Sequence, residues 1–589
     1  DGTGANGQSP VRPFGSLQHP YATAVNDIKK YTTDNLYASG YFDFKILDGL
    51  VFTYTATGEL FNVNDSSMDT PLYGDAVNVG GRVSYTNQRT FAFTQQQLLK
   101  YAKKFGKHSL DVLAGHESLD RRLNGVSAER SKLLLPDSPY VNQAALNQSN
   151  GGYGSSYALE SYLSRVAYDY DNKYYINASA RRDGSSRFAP SERWGNFYGL
   201  GVAWRVSQES FLKNVSWIDE LKLKASLGQQ GNDDLGYELP YLTQYFVNYT
   251  TDSTLPISYI SGDYLGNKKI TWETTTNYNF GFNASFFNRR LNIESEYFVR
   301  DITDMLFDKP LPPSTGFQVT PTNIGDMQNK GIELTIDAEV VKTNDLSITL
   351  NLNATSYKNS ISEMPDNPTD TDRVIAGNFI REEGGGAFDY YMREFAGVNP
   401  ANGAALFWTN VDDLDPTAGR ILTENFGEAD LYRICKSALP DVYGGFGLNV
   451  EYKGFDLGVN FAYQVGGYAT DGVWLGGLAV SPGGGIHSDY YNTWTPTNTN
   501  ASLPRLDVDD PLNYYGNSTL NLIKSDYLSI QDVSVGYNFN SSMVEKLGLS
   551  KLRIYGLADN VFLWSKRQGF DPRQSGVTGA SSNNYSLLR

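Results

Sequence analysis

Four scattered histidines (His19, His108, His116, His487) and one cysteine (Cys435) are all the nitrogen and sulfur metal ligands that 589 residues offer. A zinc site needs three or four converging protein ligands, and a single thiol builds no internal disulfide framework. The chain therefore predicts no metal, no cofactor and no catalytic residues. It contains no G-x-x-x-x-G-K-[ST], G-x-S-x-G, H-E-x-x-H or EF-hand pattern. "GGYGSS" and "GGFGLN" read as small-residue positions rather than phosphate cradles, and the acidic groups Asp233/Asp234 and Asp412/Asp413/Asp415 read as solvated loop carboxylates. What remains is aromatic. "GGGAFDYYMREF" presents Tyr390 and Tyr391, "HSDYYNTWTP" presents Tyr490, Tyr491 and Trp494, and "PLNYYGN" presents Tyr514 and Tyr515. Such rings beside Asp and Asn suit sugars or polar peptides, and they equally suit packing inside a loop or against a covering protein. They are the candidate substrate-binding residues.

The elements that would position these loops follow from composition. Forty-nine basic against 65 acidic residues give a net charge of −16, which argues against nucleic acid as a partner. Forty-one Tyr and 30 Phe against 6 Met favour strands over helix bundles. No run of 18 or more apolar residues marks a transmembrane helix, and "DGTGANGQSP" reads as neither a signal peptide nor a transit sequence. A chain this long requires either several soluble domains or one very large barrel.

Alternation and the lengths of the connections bear on the choice. In "YKGFDLGVNFAYQVGG" (452–467) Phe455, Leu457, Val459, Phe461 and Tyr463 lie on one side of an extended chain, with Asp456, Gly458, Asn460, Ala462 and Gln464 on the other. "TTNYNFGFNASFF", "GIELTIDAEVV", "LSITLNLNATSY", "LKLKASLGQ", "LRIYGLADN" and "GLVFTYTAT" repeat the pattern, predicting about fifteen strands of about ten residues each. Tight turns at 169–175, 286–292, 341–347 and 452–456 alternate with long polar stretches at 118–157, 229–272, 303–329, 358–386 and 467–525. An antiparallel outer-membrane barrel has this asymmetry, with short periplasmic turns and long external loops. The Phe/Leu/Val/Tyr face then meets lipid, the Asp/Gly/Asn/Gln face meets the lumen, and Tyr170, Tyr174, Phe286, Phe287, Tyr452 and Phe455 form the inner aromatic girdle. A row of soluble β-sandwiches is the competing all-β architecture.

Seven stretches in order carry a resemblance: "ASARRDGSSRF", "LKLKASLGQQGND", "WETTTNYNFGFNASFFNRRLNIESEYFVRDITDML", "NIGDMQNKGIELTI", "YKGFDLGVNFAYQVGG", "YYNTWTPTNTNASLPRL" and "LIKSDYLSIQDVSVGYNFNSSMVEKLGLSKLRIYGLADNVFLW". Together they resemble the SusC/RagA-like family of TonB-dependent outer-membrane transporters. The resemblance implies a 22-stranded transmembrane barrel whose lumen holds a plug. It implies a SusD-like surface lipoprotein as lid and the TonB complex as energy source. Neither plug nor TonB-coupling segment is visible, nothing at residue 1 looks like a barrel start, and "NNYSLLR" lacks a terminal strand ending in an aromatic residue. Residues 1–589 are therefore expected to be an incomplete outer-membrane barrel domain covering most of its strands.

The expected function is import of oligosaccharides or peptides across the outer membrane of a Gram-negative bacterium, without bond chemistry. Transporter–lid pairs could associate as a homodimer. Lys222, Lys224, Glu333 and Asp337 would hold the plug by polar contacts or pair among themselves. The alternatives are a lidless receptor for a small chelate or cofactor, a passive porin, and a soluble β-rich protein that binds or cleaves glycans.

Overall fold

The alternating segments pair edge to edge into one continuous antiparallel wall. The computed structural model describes residues 20–72, 75–249, 256–260, 262–364, 373–411, 419–478, 486–507, 517–567 and 569–574. Within them the wall strands are β1 (Ile28–Leu47), β2 (Leu50–Asp69), β3 (Arg82–Phe105), β4 (His108–Leu133), β5 (Ala144–Tyr170), β6 (Tyr174–Ser185), β7 (Trp194–Arg205) and β8 (Ile218–Asn232). They continue as β9 (Glu273–Phe286), β10 (Leu291–Thr303), β11 (Asp326–Lys342), β12 (Leu346–Glu363), β13 (Val442–Tyr452), β14 (Phe455–Val465), β15 (Tyr527–Asn538) and β16 (Arg553–Ser565). These sixteen pair strictly in chain order, β1 beside β2 through to β16, as consecutive hairpins dictate.

Register keeps each face chemically pure. Val459 pairs with Leu448, which pairs with Leu350, and Phe461 pairs with Phe446, which pairs with Leu352. The Phe446 and Phe461 rings stack at 4.5 Å. One residue along, Asn460 pairs with Gly447 and Gly447 with Asn351. Gly447 is glycine for want of room: a Cβ there would lie 2.5 Å from the Asn351 carboxamide oxygen and 2.6 Å from that of Asn460. A one-residue slip would exchange the faces, so a wall greasy on one side and polar on the other fixes its own register.

The turns at one end are tight because their sequences accept positive φ. Lys453 (48°) and Gly454 (93°) close β13 to β14, and Asp171 (55°) and Asn172 (54°) close β5 to β6. Aromatic rings gather beside them. Tyr170 stacks on Tyr174 at 6.4 Å, Trp217 lies 5.7 Å from Phe286 and 6.4 Å from Phe287, and Phe455 lies 4.5 Å from Tyr537. Rings gathered beside such turns suit the interfacial girdle of a membrane barrel.

At the opposite end the wall differs from expectation. The stretch 118–157 is not a loop: β4 runs to Leu133 and β5 starts at Ala144, giving strands of 26 and 27 residues. Their outer halves stand clear of the hydrocarbon, where alternation is no longer required, so polar residues on both faces hid them. On the outward face the change of environment is visible about eight to ten residues above the turns. There His116 Nδ1 meets Gln97 Oε1 at 2.6 Å, Tyr162 donates to Glu160 at 2.7 Å, and the Arg182 guanidinium lies 5.1 Å from the Trp194 ring. Tilted strands reach about 25 Å at that height, where the apolar band ends.

Beyond the wall, the external stretches fold on themselves. Arg373–Ala376, Phe379–Glu382, Asp389–Arg393 and Leu431–Ser437 form a four-stranded sheet, and Phe395–Val398, Ala405–Asn410 and Arg420–Thr423 a three-stranded one. Each has its own small core, built on Phe379, Tyr390, Met392 and Ile434 in the first and on Ala405, Phe407 and Ala429 in the second.

Candidate functional site: the polar lumen wall and its outer loops

The inward face of β6 to β13 lines a cavity of about 730 Å³. Its surface is mostly carboxamide and hydroxyl: Asn177, Ser179, Ser226, Gln230, Asn277, Asn279, Asn329 and Thr355, with Tyr357 and Tyr443 at one side. Three charged residues, Glu296, Arg300 and Glu333, line it too. Arg300 Nε donates to Asn277 Oδ1 at 2.9 Å, and Glu296 is held by Lys224 Nζ at 3.1 Å. Glu333 stands opposite Glu296 in register, an unfavourable like-charge pairing that Lys224 partly offsets.

Elsewhere on this face several charges pair within the wall. Lys224 also meets Glu294 at 2.5 Å, Arg165 and Lys100 flank Asp111 at 2.9 and 3.2 Å, and Arg205 pairs with Glu220 at 2.6 Å. Arg181 bridges Asp183 at 2.6 Å and Glu117 at 3.4 Å. Lys222 lies over the Tyr175 ring at 4.8 Å, and Asp337 lies between Asn292 and Asn351 in register. Of the four charges singled out in the sequence, Lys224 thus pairs with its own wall. A surface where several ions pair with one another and carboxamides and hydroxyls predominate wets a passage without holding its cargo tightly.

The loop aromatics fall in different settings. Tyr390 is buried, its ring 4.9 Å from Phe379 and its hydroxyl donating to the Tyr468 carbonyl at 3.0 Å. Burial pushes that hydroxyl well above the ordinary phenol range. Tyr391 is half-buried with Arg373 5.8 Å from its ring centre. Trp494 donates Nε1 to the Pro400 carbonyl at 3.1 Å and lies against Gly403, whose φ of 78° and proximity to the ring both require glycine. Tyr490 and Tyr491 touch edge to face at 5.7 Å and are open, Tyr491 at 82% exposure. Tyr514 and Tyr515, like Asp412, Asp413 and Asp415, lie outside the described residues. Of the five residues expected to face lipid, Phe455 and Leu457 are exposed, and Val459, Phe461 and Tyr463 are half-buried.

These settings separate packing from contact. Tyr390→Phe should cost about 0.5–1.5 kcal/mol by removing the hydroxyl bond to Tyr468. Tyr491→Ala should change stability by less than about 0.5 kcal/mol, as exposed substitutions do. Urea midpoints of the two variants read both expectations.

A second loop cluster is sensitive to pH. Tyr237 donates to Asp308 Oδ2 at 3.1 Å and packs on Tyr264 at 4.5 Å, while Asp308 Oδ1 is buried without a partner. Desolvation raises the Asp308 carboxyl above its usual value, and desolvation followed by the neighbouring Asp308 pushes Tyr237 up to about 12. A carboxyl raised on folding binds its proton more tightly in the folded state, so its contribution is full in acid and lost as pH rises through the folded value. The hairpin Leu306–Pro310 with Val319–Asn323 should therefore show greater amide protection, corrected for intrinsic exchange, at pH 4 than at pH 7. Asp308→Asn should remove the difference.

Among the described residues no three His, Cys, Asp or Glu side chains converge as metal ligands. Sequence reasoning missed the Asp471–Arg567 pair, which fastens a loop to the wall: Asp471 is fully buried, and Arg567 bonds it while lying 4.2 Å over the Trp474 ring. No local pattern marks it, since its members stand 96 residues apart.

Comparison with known proteins places this arrangement. The family model described as TonB dependent receptor-like, beta-barrel matches residues 1–561. TonB-dependent receptor P3 of Formosa agariphila is 27% identical over 592 residues, covering 96% of this chain and 57% of the relative. TonB-dependent receptor SusC of Bacteroides thetaiotaomicron is 25% identical over 596 residues, covering 99% and 57%. Among solved structures, that of the RagAB peptide transporter superposes with a TM-score of 0.81 at 26% identity, covering 95% of this chain and 61% of that one. The chain thus spans somewhat over half the length of these relatives. It belongs to the TonB-dependent receptor-like β-barrel family, as a SusC/RagA-like member seated in the outer membrane of a Gram-negative bacterium.

Proposed function

We propose that the chain is the barrel of a TonB-dependent importer that moves oligosaccharides or peptides inward beneath a SusD-like lipoprotein lid. The observation that carries this reading is the polar lumen wall, where several ions pair with one another and the cavity lining is mostly carboxamide and hydroxyl. Such a wall suits neutral, hydrogen-bonding cargo. A plug in this lumen, moved by TonB, would gate it, and lidded transporters would associate in pairs. The resemblance to SusC and to a transporter described as carrying peptides supports the reading.

The test is purification of the native protein from outer membranes in mild detergent, with identification of every co-purifying chain, alongside uptake in cells with and without TonB. A stoichiometric surface lipoprotein and TonB-dependent uptake are expected. A transporter that purifies without a lipoprotein and takes up a small chelate would favour the lidless receptor. Uptake indifferent to TonB would overturn the import mechanism.

A further inference from the structure

β5 and β6 part company above Leu159. Below it they pair from Leu159 with Ser185 down to Tyr170 with Tyr174. Above it β5 continues to Ala144, paired among the described residues with β4 alone. The outer end of β5 is therefore an open strand edge.

Ala158 sets its phase. Its N–H donates to Ser186 Oγ at 2.9 Å and its carbonyl accepts from the Ser186 N–H at 3.0 Å, both on the side of β6. Backbone groups alternate sides along a strand, so Ser156, Gly154, Gly152 and Asn150 turn donor and acceptor to that same side, where no strand follows among the described residues. The edge is held firm from the lumen side, because Tyr157 donates to Asp233 at 2.9 Å and Tyr153 to Gln88 at 3.2 Å. It also stands outside the bilayer. Ala158 is twelve and Asn150 twenty residues above Tyr170, about 29 and 48 Å at ~3.4 Å per residue and ~45° tilt.

Exposed edges are ordinarily guarded by charge or proline. "AALNQSNGGYGSSYAL" (144–159) has neither. An unguarded edge calls for an occupant, and three can be compared. Two copies in one membrane, related by an axis along its normal, would bring their β5 strands together running the same way, so they could not pair antiparallel. An oligosaccharide lacks the repeating donor–acceptor spacing of a strand. An extended polypeptide has it. Specific partners that add a strand gain selectivity from side-chain pockets, but Gly151, Gly152 and Gly154 provide none. That favours varied cargo over a fixed partner. Resting on the import reading above, we propose that Asn150–Ser156 captures extended peptide cargo by strand addition at the mouth of the barrel, reading backbone rather than sequence.

Amide exchange of the full-length protein in nanodiscs tests this directly. The probe is an end-capped, uncharged nonapeptide of alternating threonine and alanine at millimolar concentration. Exchange at Asn150, Gly152, Gly154 and Ser156 should slow at least tenfold with the peptide. It should not change with a linear malto-oligosaccharide or with the same peptide N-methylated at every residue, which leaves no donor on either edge. Equal slowing by the N-methylated peptide, no slowing at all, or full protection by a surface lipoprotein without peptide would each overturn the proposal.

Variants add an independent readout. Gly152→Pro with Ser156→Pro removes two edge donors and leaves the β4 ladder intact, whereas alanine at both positions keeps the donors. Peptide affinity should fall at least tenfold for the proline pair and stay within twofold for the alanine pair. If cells take up peptide by a TonB-dependent route that the proline pair does not slow, strand addition fails while the import reading stands. Equal uptake without TonB defeats the import reading itself.

Discussion

Val459→Arg destabilises the barrel by about 2–4 kcal/mol, the penalty for a cation on the lipid face near the bilayer midplane. Val459 sits four residues above the β13–β14 turn, on the apolar row with Leu448 and Val533. An arginine there has no carboxylate on its own face and must snorkel through hydrocarbon. Asn460→Arg, one residue along, points into the lumen, where Asn460 already donates to both oxygens of Asp532 at 2.9 and 3.2 Å. The new cation finds a ready partner and water, so its cost is well under that of Val459→Arg. Urea titrations of the refolded barrel in lipid vesicles should separate the two midpoints clearly. Equal loss for both would mean that the faces do not meet different solvents.

Arg567→Leu should cost about 3–5 kcal/mol, because it removes the guanidinium that bonds the buried Asp471 carboxylate. The loss is local. Asp471 caps the short helix Gly472–Leu478 through the Trp474 N–H at 3.0 Å, and that helix packs with Leu503 and Leu520 into a small core, with Trp474 Nε1 donating to Asp489 at 2.8 Å. Freed from Arg567, this loop should open to proteolysis between residues 471 and 503 while the wall stays intact. The double change Asp471→Asn with Arg567→Leu keeps an oxygen to cap the helix and removes the buried negative charge together with its guanidinium, so it should recover a large part of the loss. No recovery would show that Arg567 acts through its packing on Trp474 rather than through charge.

Strand identity was legible because the membrane enforces it. Phe455 to Val465 alternates large apolar with polar or small residues, as a wall between lipid and water requires, and the turn at Lys453–Gly454 announces itself by residue type. Legibility stops where that constraint stops. The outer halves of β4 and β5 are strands made of residues such as Asn147, Ser149 and Gly151, held by their neighbours rather than by any intrinsic pattern. The loop aromatics show the same limit from another side. "DYY" and "DYYNTW" look alike as sequence, yet Tyr390 is locked under Phe379 and Met392 while Tyr491 is open to solvent. That difference depends on which strands the loop meets, and Ile434 and Leu522, which pack around Tyr390, lie 44 and 132 residues further along the chain.

The measurement that bears most directly on the account is a nitroxide scan of residues 455–465 in lipid bilayers, with Cys435 replaced by serine so that each label is unique. Collision rates with oxygen, which concentrates in lipid, should peak at 455, 457, 459, 461 and 463, and those with a polar nickel chelate at 456, 458, 460, 462 and 464. Rates that fail to alternate, or equal chelate access on both parities, would contradict the assignment of this wall to a membrane barrel.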